Sequence, residues 1–331
     1  MTNYSQLPKV ELHLHLDCCL SYQAVHQLDP SVTPESYRHD FVAPAKCTNL
    51  AHYLETTRNS VALLQSEDAL RLAVVDLFEQ LAQDQVIYAE IRFAPLLHTR
   101  RGLKPERIVQ VVEEETIRCS VRTGIEARVL LCTLRHFSEE QSLQTVRLVE
   151  AFRGSRVVAL DIAGDEAGFP IDAHVPAFRY AIERGIPRIA HAGEARGADS
   201  VWETLQHFQP MRIGHGVRSL EDAELVKHLR ESQMHLEICP KCNVQTDIVP
   251  AYPDHPIDRL YQAGLSLGVN TDTRTVTDVT LNQEYEQLSK VFGWDAGGFL
   301  ACNLNALAAS FAPSELKERL MNQLRVAYPA S

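Results

Sequence analysis

Eight short runs of apolar or β-branched residues recur along this 331-residue chain, with helical patterns filling the intervals between them. The runs are Val10 to Leu16, Val86 to Phe93, Ala127 to Leu131, Val157 to Ile162, Arg188 to Ala190, Met211 to Ile213, His235 to Ile238 and Ser266 to Val269. Short apolar runs of this kind read as strands buried on both faces. Helical periodicity follows at Pro105 to Arg122, Ser138 to Phe152, His174 to Glu183, Ser200 to His207 and Leu220 to Glu231. This alternation predicts a parallel sheet in an α/β fold, and eight repeats predict closure as a (β/α)8 TIM barrel. An open doubly wound sheet is the alternative.

The longest interval separates the first two runs, and Leu50 to Leu64 and Asp68 to Ala82 read as helices within it. This predicts a helical insertion after the first strand, either a lid over the barrel mouth or an extension of the outer ring. Beyond Asp272 the pattern turns helical, from Leu281 to Val291 and Pro313 to Val326, and covers the barrel exterior or its bottom. No Ser/Gly-rich or charged linker divides the chain. The expectation is one domain over residues 1–331, a length that α/β barrels reach as one unit.

A net charge of −11 disfavours nucleic acid as a partner, because phosphate contacts need a dense Lys/Arg face. No apolar run reaches the roughly 18 to 20 residues of a membrane span, so no membrane partner is expected. The segment Met1 to Ser5 lacks a basic region followed by an apolar stretch. Eight cysteines, two of them adjacent at Cys18 and Cys19, read as free thiols in a reducing compartment, and the expected location is cytoplasmic. Nothing in the pattern fixes an oligomeric state.

Chemistry-bearing residues gather at the ends of the runs. His13 and His15 flank a leucine on the first strand, and residues two apart on a strand face the same side. His191 ends the fifth run and Asp272 follows the eighth. Barrel enzymes build their sites at that C-terminal face. Three imidazoles and one carboxylate suit zinc, although iron or cobalt accepts the same atoms. A single ion is favoured, since no lysine lies between Lys104 and Lys227 to bridge a pair, and Glu166 is a weak candidate bridge.

A divalent metal can bring the pKa of a water molecule to about 7, and the proton shed needs a carrier. Glu194, three residues past His191, is the candidate; charge complementing the following helix N-terminus is its alternative role. His215, between two glycines, would sit beside the metal, orient the hydroxide and stabilise developing charge; otherwise it is a loop histidine. The segment His235-Leu-Glu-Ile-Cys239-Pro-Lys-Cys242 carries an H-x-E and a C-x-x-C. Their near overlap and the proline position depart from the zinc deaminase signature, so it reads as a buried strand followed by a turn.

Together, Pro8-Lys-Val-Glu-Leu-His-Leu-His-Leu-Asp17, Asp161-Ile-Ala-Gly-Asp-Glu166, His191-Ala-Gly-Glu194, Arg212-Ile-Gly-His-Gly216 and Asn270-Thr-Asp272 resemble the adenosine deaminase family, in the family's order. The Glu284-Tyr285 stretch resembles it too, and residues 30 to 80 match weakly. The resemblance implies a (β/α)8 barrel with one zinc held by His13, His15, His191 and Asp272. It implies Glu194 as proton shuttle and His215 assisting the hydroxide, with His15 also near the substrate. Substrate contacts would be the Gly164 backbone amide to a purine ring nitrogen and Asp17 to a ribose hydroxyl. The implied reaction is hydrolytic deamination of adenosine or deoxyadenosine, a small-molecule purine nucleoside, to inosine or deoxyinosine plus ammonia.

Two positions depart from the family. Thr273 stands where family members usually carry a second aspartate that meets purine N7; its hydroxyl can still donate. Cys18 stands where the family has glycine, which puts the backbone geometry beside Asp17 in question. The alternative substrates are related 6-aminopurines: adenine, N6-methyl-AMP or a modified nucleoside. A phosphorylated substrate needs a positive cradle, for which Arg92, Arg196, Lys241 and Arg274 are the available charges, and ordinary salt-bridging accounts for them equally well. From a different class comes a catalytically inactive nucleoside-binding or signalling relative.

Overall fold

The computed structural model describes residues 4–329. Its strands are β1 (Lys9–His15), β2 (Val86–Phe93), β3 (Glu126–Leu134), β4 (Val157–Ala163), β5 (Ile189–Ala192), β6 (Arg212–His215), β7 (His235–Ile238) and β8 (Leu267–Val269). Each coincides with an expected run to within a few residues. All neighbouring pairs are parallel, as two four-stranded sheets ordered β1-β2-β3-β4 and β5-β6-β7-β8.

Isolated parallel bridges join the halves, Leu160 to Arg188 on one side and Leu14 to Asp272 on the other. The ring is therefore closed into an α/β barrel, and the open doubly wound sheet is excluded. At the β8–β1 seam the backbone of Asp272 bonds on both sides, its N–H to His13 O at 3.0 Å and its carbonyl to His15 N–H at 2.8 Å. The Asn270 side-chain oxygen accepts from the N–H groups of Leu12 and His13 at 2.8 and 3.1 Å.

Helix boundaries follow local chemistry. Ser138 and Gln141 form a capping box ahead of helix Glu139–Ala151, and Thr280 and Gln283 form another ahead of Leu281–Phe292. Pro105 opens helix Pro105–Thr123, where its missing N–H costs nothing. The insertion after β1 holds helices Tyr22–Leu28, Pro34–Asp40, Leu50–Leu63 and Glu67–Gln83. Its two expected helices take different roles. Leu50–Leu63 lines the cavity at the barrel mouth, whereas Glu67–Gln83 packs on Pro105–Thr123 in the outer ring. Helix Ala296–Ala309 packs on β8 and β1. Its end meets the barrel floor, where Ala309 O accepts from Arg212 Nη1 at 3.0 Å and the Phe311 ring lies 4.3 Å from that guanidinium.

One contiguous apolar cluster runs from Leu7 to Tyr328, between the sheet and its helices. The barrel interior differs from the branched aliphatic filling usual in this architecture. Fully buried Glu90, Arg92, Asp161, Arg212 and Glu237, from four strands, pair across it. That charged interior lies directly beneath the rim.

Candidate metal and active site at the barrel rim

The sequence-predicted ligands converge. His15 Nε2 lies 3.3 Å from His191 Nε2 and 3.4 Å from Asp272 Oδ1, and His13 Nε2 lies 3.4 Å from the same oxygen. A tetrahedral ion with arms of 2.0–2.1 Å has edges of about 3.3–3.4 Å, so these spacings match one coordination shell. Among the described residues, donor atoms of His13, His191 and His215 cluster within 4.8 Å, as do those of His13, Cys239 and Asp272. Both groups share His13 and mark one locus.

Buried partners fix the imidazole tautomers. Glu237 Oε2 is 3.0 Å from His13 Nδ1, and Asp161 Oδ1 is 3.3 Å from His191 Nδ1. Burial raises both carboxyls' pKa values, yet their basic neighbours, Arg92 prominent among them, outweigh it and hold both below the usual range. An ionised carboxylate only accepts, so each Nδ1 carries the proton and each Nε2 presents a lone pair. His13 Nε2 is buried without a hydrogen-bond partner. Burial and Arg92 lower the His13 pKa, but Asp272 and Glu237 hold it above its ordinary value. That spot favours positive charge, whether proton or metal ion. Burial first, then neighbouring imidazoles, bring His15 down to about 3 against the pull of Asp272, and burial also lowers His191. Neutral imidazoles are what a metal requires. The donor set therefore fits a cation.

His215 is distinguished by its other nitrogen. The Asn243 amide faces its Nδ1 at 3.2 Å, and Asn243 Oδ1 faces His255 Nε2 at 3.3 Å. A donated bond at Nδ1 places the proton on Nε2, which points at Glu194 Oε2 (3.6 Å) and Asp272 Oδ2 (3.9 Å). His215 is thus a donor towards the carboxylates. Both His215 and Asp272 have left-handed backbones, φ 62° and 67°, the costly geometry that persists where surroundings enforce it. Gly214 packs closely between the rings: a Cβ would lie 3.1 Å from His13 Cε1 and 3.2 Å from His191 Cγ, and the imidazoles would have to give way.

Glu194 follows β5 and is 4% exposed, with Oε1 lacking any partner. Burial, then the charges of Asp272 and Glu166, push its pKa well above the carboxylate range, which favours its protonated form. A cavity of about 660 Å³ opens above these groups, within the range of small-molecule sites. Its lining includes Asp17, Gly164 and Thr273, placing the expected substrate contacts around one space. Asp17 accepts from Ala94 N–H at 3.4 Å and faces His98 Nε2 at 3.5 Å. Cys18 does not take a left-handed backbone, so the missing glycine does not distort this turn. Thr273 Oγ1 bonds to Tyr53 OH from the helix over the mouth and to Thr277 Oγ1 at 2.9 Å.

The structure decides several of the alternatives left open by the sequence. Arg92 is no cradle at the mouth: it is fully buried and gripped by Asp161 (2.7 Å) and Glu237 (2.6 Å). Arg274 is buried against Glu11 and Asp84, Arg196 pairs with Asp199 and Glu203, and Lys241 donates to Asp278 O. The cations lining the cavity are Arg58 and Arg100, alongside acidic Glu55 and Asp165. Glu166 is no metal bridge, because both its oxygens bind the loop after β5. The strand over His235–Ile238 leads into a short helix, Pro240–Gln245, not a plain turn, because Pro240 suits a first helical position. That helix aims the Cys242 thiol at Asp272 Oδ2, 2.9 Å away. Sequence reasoning missed this contact, and the C-x-x-C was the available signal.

A closed α/β barrel that gathers imidazoles and a carboxylate at its C-terminal rim, beside a buried, unpartnered carboxyl, has the architecture of a barrel metallohydrolase. A family model described as adenosine deaminase matches residues 8–327. The chain is 34% identical to an adenosine deaminase of Clostridium acetobutylicum, covering 96% of this chain and 97% of that protein. It is 35% identical to an adenosine deaminase of Lacticaseibacillus paracasei, over 98% and 97% respectively. A crystal structure of adenine deaminase from Arthrobacter aurescens superposes with a TM-score of 0.89 at 28% identity, covering 97% of this chain and 98% of that one. The chain belongs to the adenosine deaminase family.

Proposed function

We propose that this enzyme hydrolyses adenosine and deoxyadenosine to inosine and deoxyinosine plus ammonia, using one zinc ion held by His13, His15, His191 and Asp272. Zinc, when bound, supplies an activated water at neutral pH. The protein's own groups do the rest. Glu194 gives its proton to purine N1 as water adds to C6, which relieves the aromatic resistance to attack. The proton shed by the water passes through Glu194 to the exocyclic amine, which leaves as ammonia while the C6 hydroxyl returns its remaining proton to Glu194 and becomes the carbonyl of inosine. The His215 Nε2–H steadies the negative charge that develops beside it. The Gly164 amide meets a second ring nitrogen, Thr273 donates to N7 and Asp17 accepts from a ribose hydroxyl.

The observation that carries this reading is the buried, unpartnered Glu194 carboxyl beside the converging imidazoles of His13, His15 and His191. A mouth with mixed charges, and arginines elsewhere already paired, favours a neutral nucleoside over a nucleotide. We also read the chain as one domain, supported by the continuous apolar cluster, and as a cytoplasmic protein, supported by eight unpaired cysteines. No helix among the described residues is long and apolar enough to cross a membrane.

The test is turnover of adenosine, deoxyadenosine, adenine, N6-methyl-AMP and AMP by purified, metal-quantified protein, followed by loss of the adenine absorbance band. Both nucleosides should lead by about 100-fold or more in kcat/KM, the order of discrimination one well-placed set of hydrogen bonds supplies. Preference for adenine or a nucleotide, or no turnover of any 6-aminopurine, overturns the assignment.

A further inference from the structure

The two halves of the barrel are poorly stitched where β4 meets β5. Their backbones share the bridge at Leu160 and Arg188, where Leu160 N–H reaches Pro187 O at 2.9 Å, well below the rim. At the rim, Gly164 follows β4 and Glu194 follows β5, on opposite sides of this seam. Proposed substrate binding and proton transfer therefore depend on two loops that the sheet ladder does not align.

Glu166 spans that gap. Its side chain is 2% exposed, and its two oxygens accept four hydrogen bonds. Oε1 takes the N–H of Gly193 at 2.8 Å and the Ser200 hydroxyl at 2.5 Å. Oε2 takes the N–H of Glu194 at 3.0 Å and that of Arg196 at 2.8 Å. Three of the donors are backbone groups of one short loop, and the fourth belongs to the helix that follows it. From its other side the same loop is held by the segment after β6, where the Arg218 N–H reaches Gly193 O at 3.0 Å and Arg218 Nη1 reaches Ala195 O at 3.1 Å. Gly193 has φ 64°, and a Cβ there would lie 2.5 Å from Val201 Cγ2.

We propose that Glu166 is a positioning residue for Glu194, closing the β4–β5 seam at the rim so that the proton-transfer carboxyl is held in register with Gly164. It touches neither the proposed ligands nor the cavity, and it acts through the loop backbone. This rests on the reading of Glu194 as the proton carrier. Charge is essential to the device, because a carboxylate alone offers enough lone pairs for four donors. A glutamine would turn an NH2 group towards N–H donors and break at least one bond.

The experiment compares Glu166→Gln, Glu194→Gln and the double variant, with zinc content and thermal stability measured on each. Glu166→Gln should lower kcat for adenosine about 10- to 100-fold, the scale of a misplacement of about 1 Å, with KM within about threefold and zinc unchanged. In the Glu194→Gln background the same substitution should cost nothing further, because there is no proton carrier left to position. Ser200→Ala, which removes one donor and leaves the carboxylate, should move kcat in the same direction by about two- to fivefold and serves if Glu166→Gln does not fold. Wild-type kcat in the Glu166 and Ser200 variants overturns the proposal. So does an equal fractional loss in both backgrounds, which marks a general structural role. If Glu194→Gln itself turns over adenosine normally, the reading of Glu194 fails, and the positioning role falls with it.

Discussion

The Glu237 carboxylate lies 3.0 Å from Nδ1 of His13 and leaves the opposite nitrogen, Nε2, free at the rim. Arg92 extends the relationship, because its guanidinium touches both Glu237 and Asp161, the carboxylates that orient His13 and His191. The charged interior is thus a scaffold for ligand orientation. Glu237→Gln should weaken zinc binding by about 10- to 100-fold, the range found when such partners are removed. Competition with a chelator measures it, and an unchanged dissociation constant would reject the orienting role.

Removing a proposed ligand acts more directly. His13→Ala and Asp272→Ala should each lose both zinc and turnover, since each deletes one corner of the donor set. Elemental analysis of the purified variants reads this out. A full complement of zinc in either one contradicts the assignment.

Glu194→Gln should keep its zinc and lose about 10³-fold or more in kcat, because an amide can hydrogen-bond but cannot relay a proton. Activity within tenfold of wild type would remove Glu194 from the mechanism.

Thr273 is the chain's own departure, and its hydroxyl is held by Tyr53 and Thr277. Thr273→Val should lower kcat/KM for adenosine about tenfold, the worth of one hydrogen bond. It should also shrink the preference for adenosine over 7-deazaadenosine, which lacks the N7 acceptor. If wild type and variant discriminate equally, Thr273 does not read N7.

Glu284 gives a pH signature outside the donor set. Burial pushes its pKa from 4.5 up to about 7, although Tyr252 OH (2.7 Å) and Lys241 N–H (2.8 Å) oppose the rise. The folded state holds this proton more tightly than the unfolded chain. Stability from that preference is fully present below pH 4.5 and is lost as pH rises through 7. Glu284→Gln should therefore match wild type near pH 4.5 and exceed it above pH 7, by on the order of 3 kcal/mol. Thermal denaturation across that window checks it, and a stability difference independent of pH would refute it.

The strand runs were legible because strands buried on both faces leave continuous apolar stretches, and β2 and β7 matched to the residue. Helix Ala296–Ala309 was not legible. Its sequence is apolar nearly all round, with glycines at its start, so it has no amphipathic stripe to read. The short helices Tyr22–Leu28, Pro34–Asp40, Pro240–Gln245 and Ile257–Gln262 span too few turns for periodicity to register. Histidine spacing and the motif order pointed to the rim residues that the structure brings together. The partners beneath them were hidden, because Arg92, Asp161 and Glu237 come from separate strands and meet only when the ring closes. The inward position of Arg92 was undecided for that reason, since a charge in sequence carries no sign of facing inwards.

Asp272 is mortar and ligand at once: its backbone joins the last strand to the first, and its carboxylate faces His13 and His15. A chain emerging from the ribosome cannot present the complete donor set until residue 272 has been made and docked against β1. Capture of the ion thereby reports that the ring has been completed, and a protein truncated or frayed at that junction forfeits its cation along with its wall.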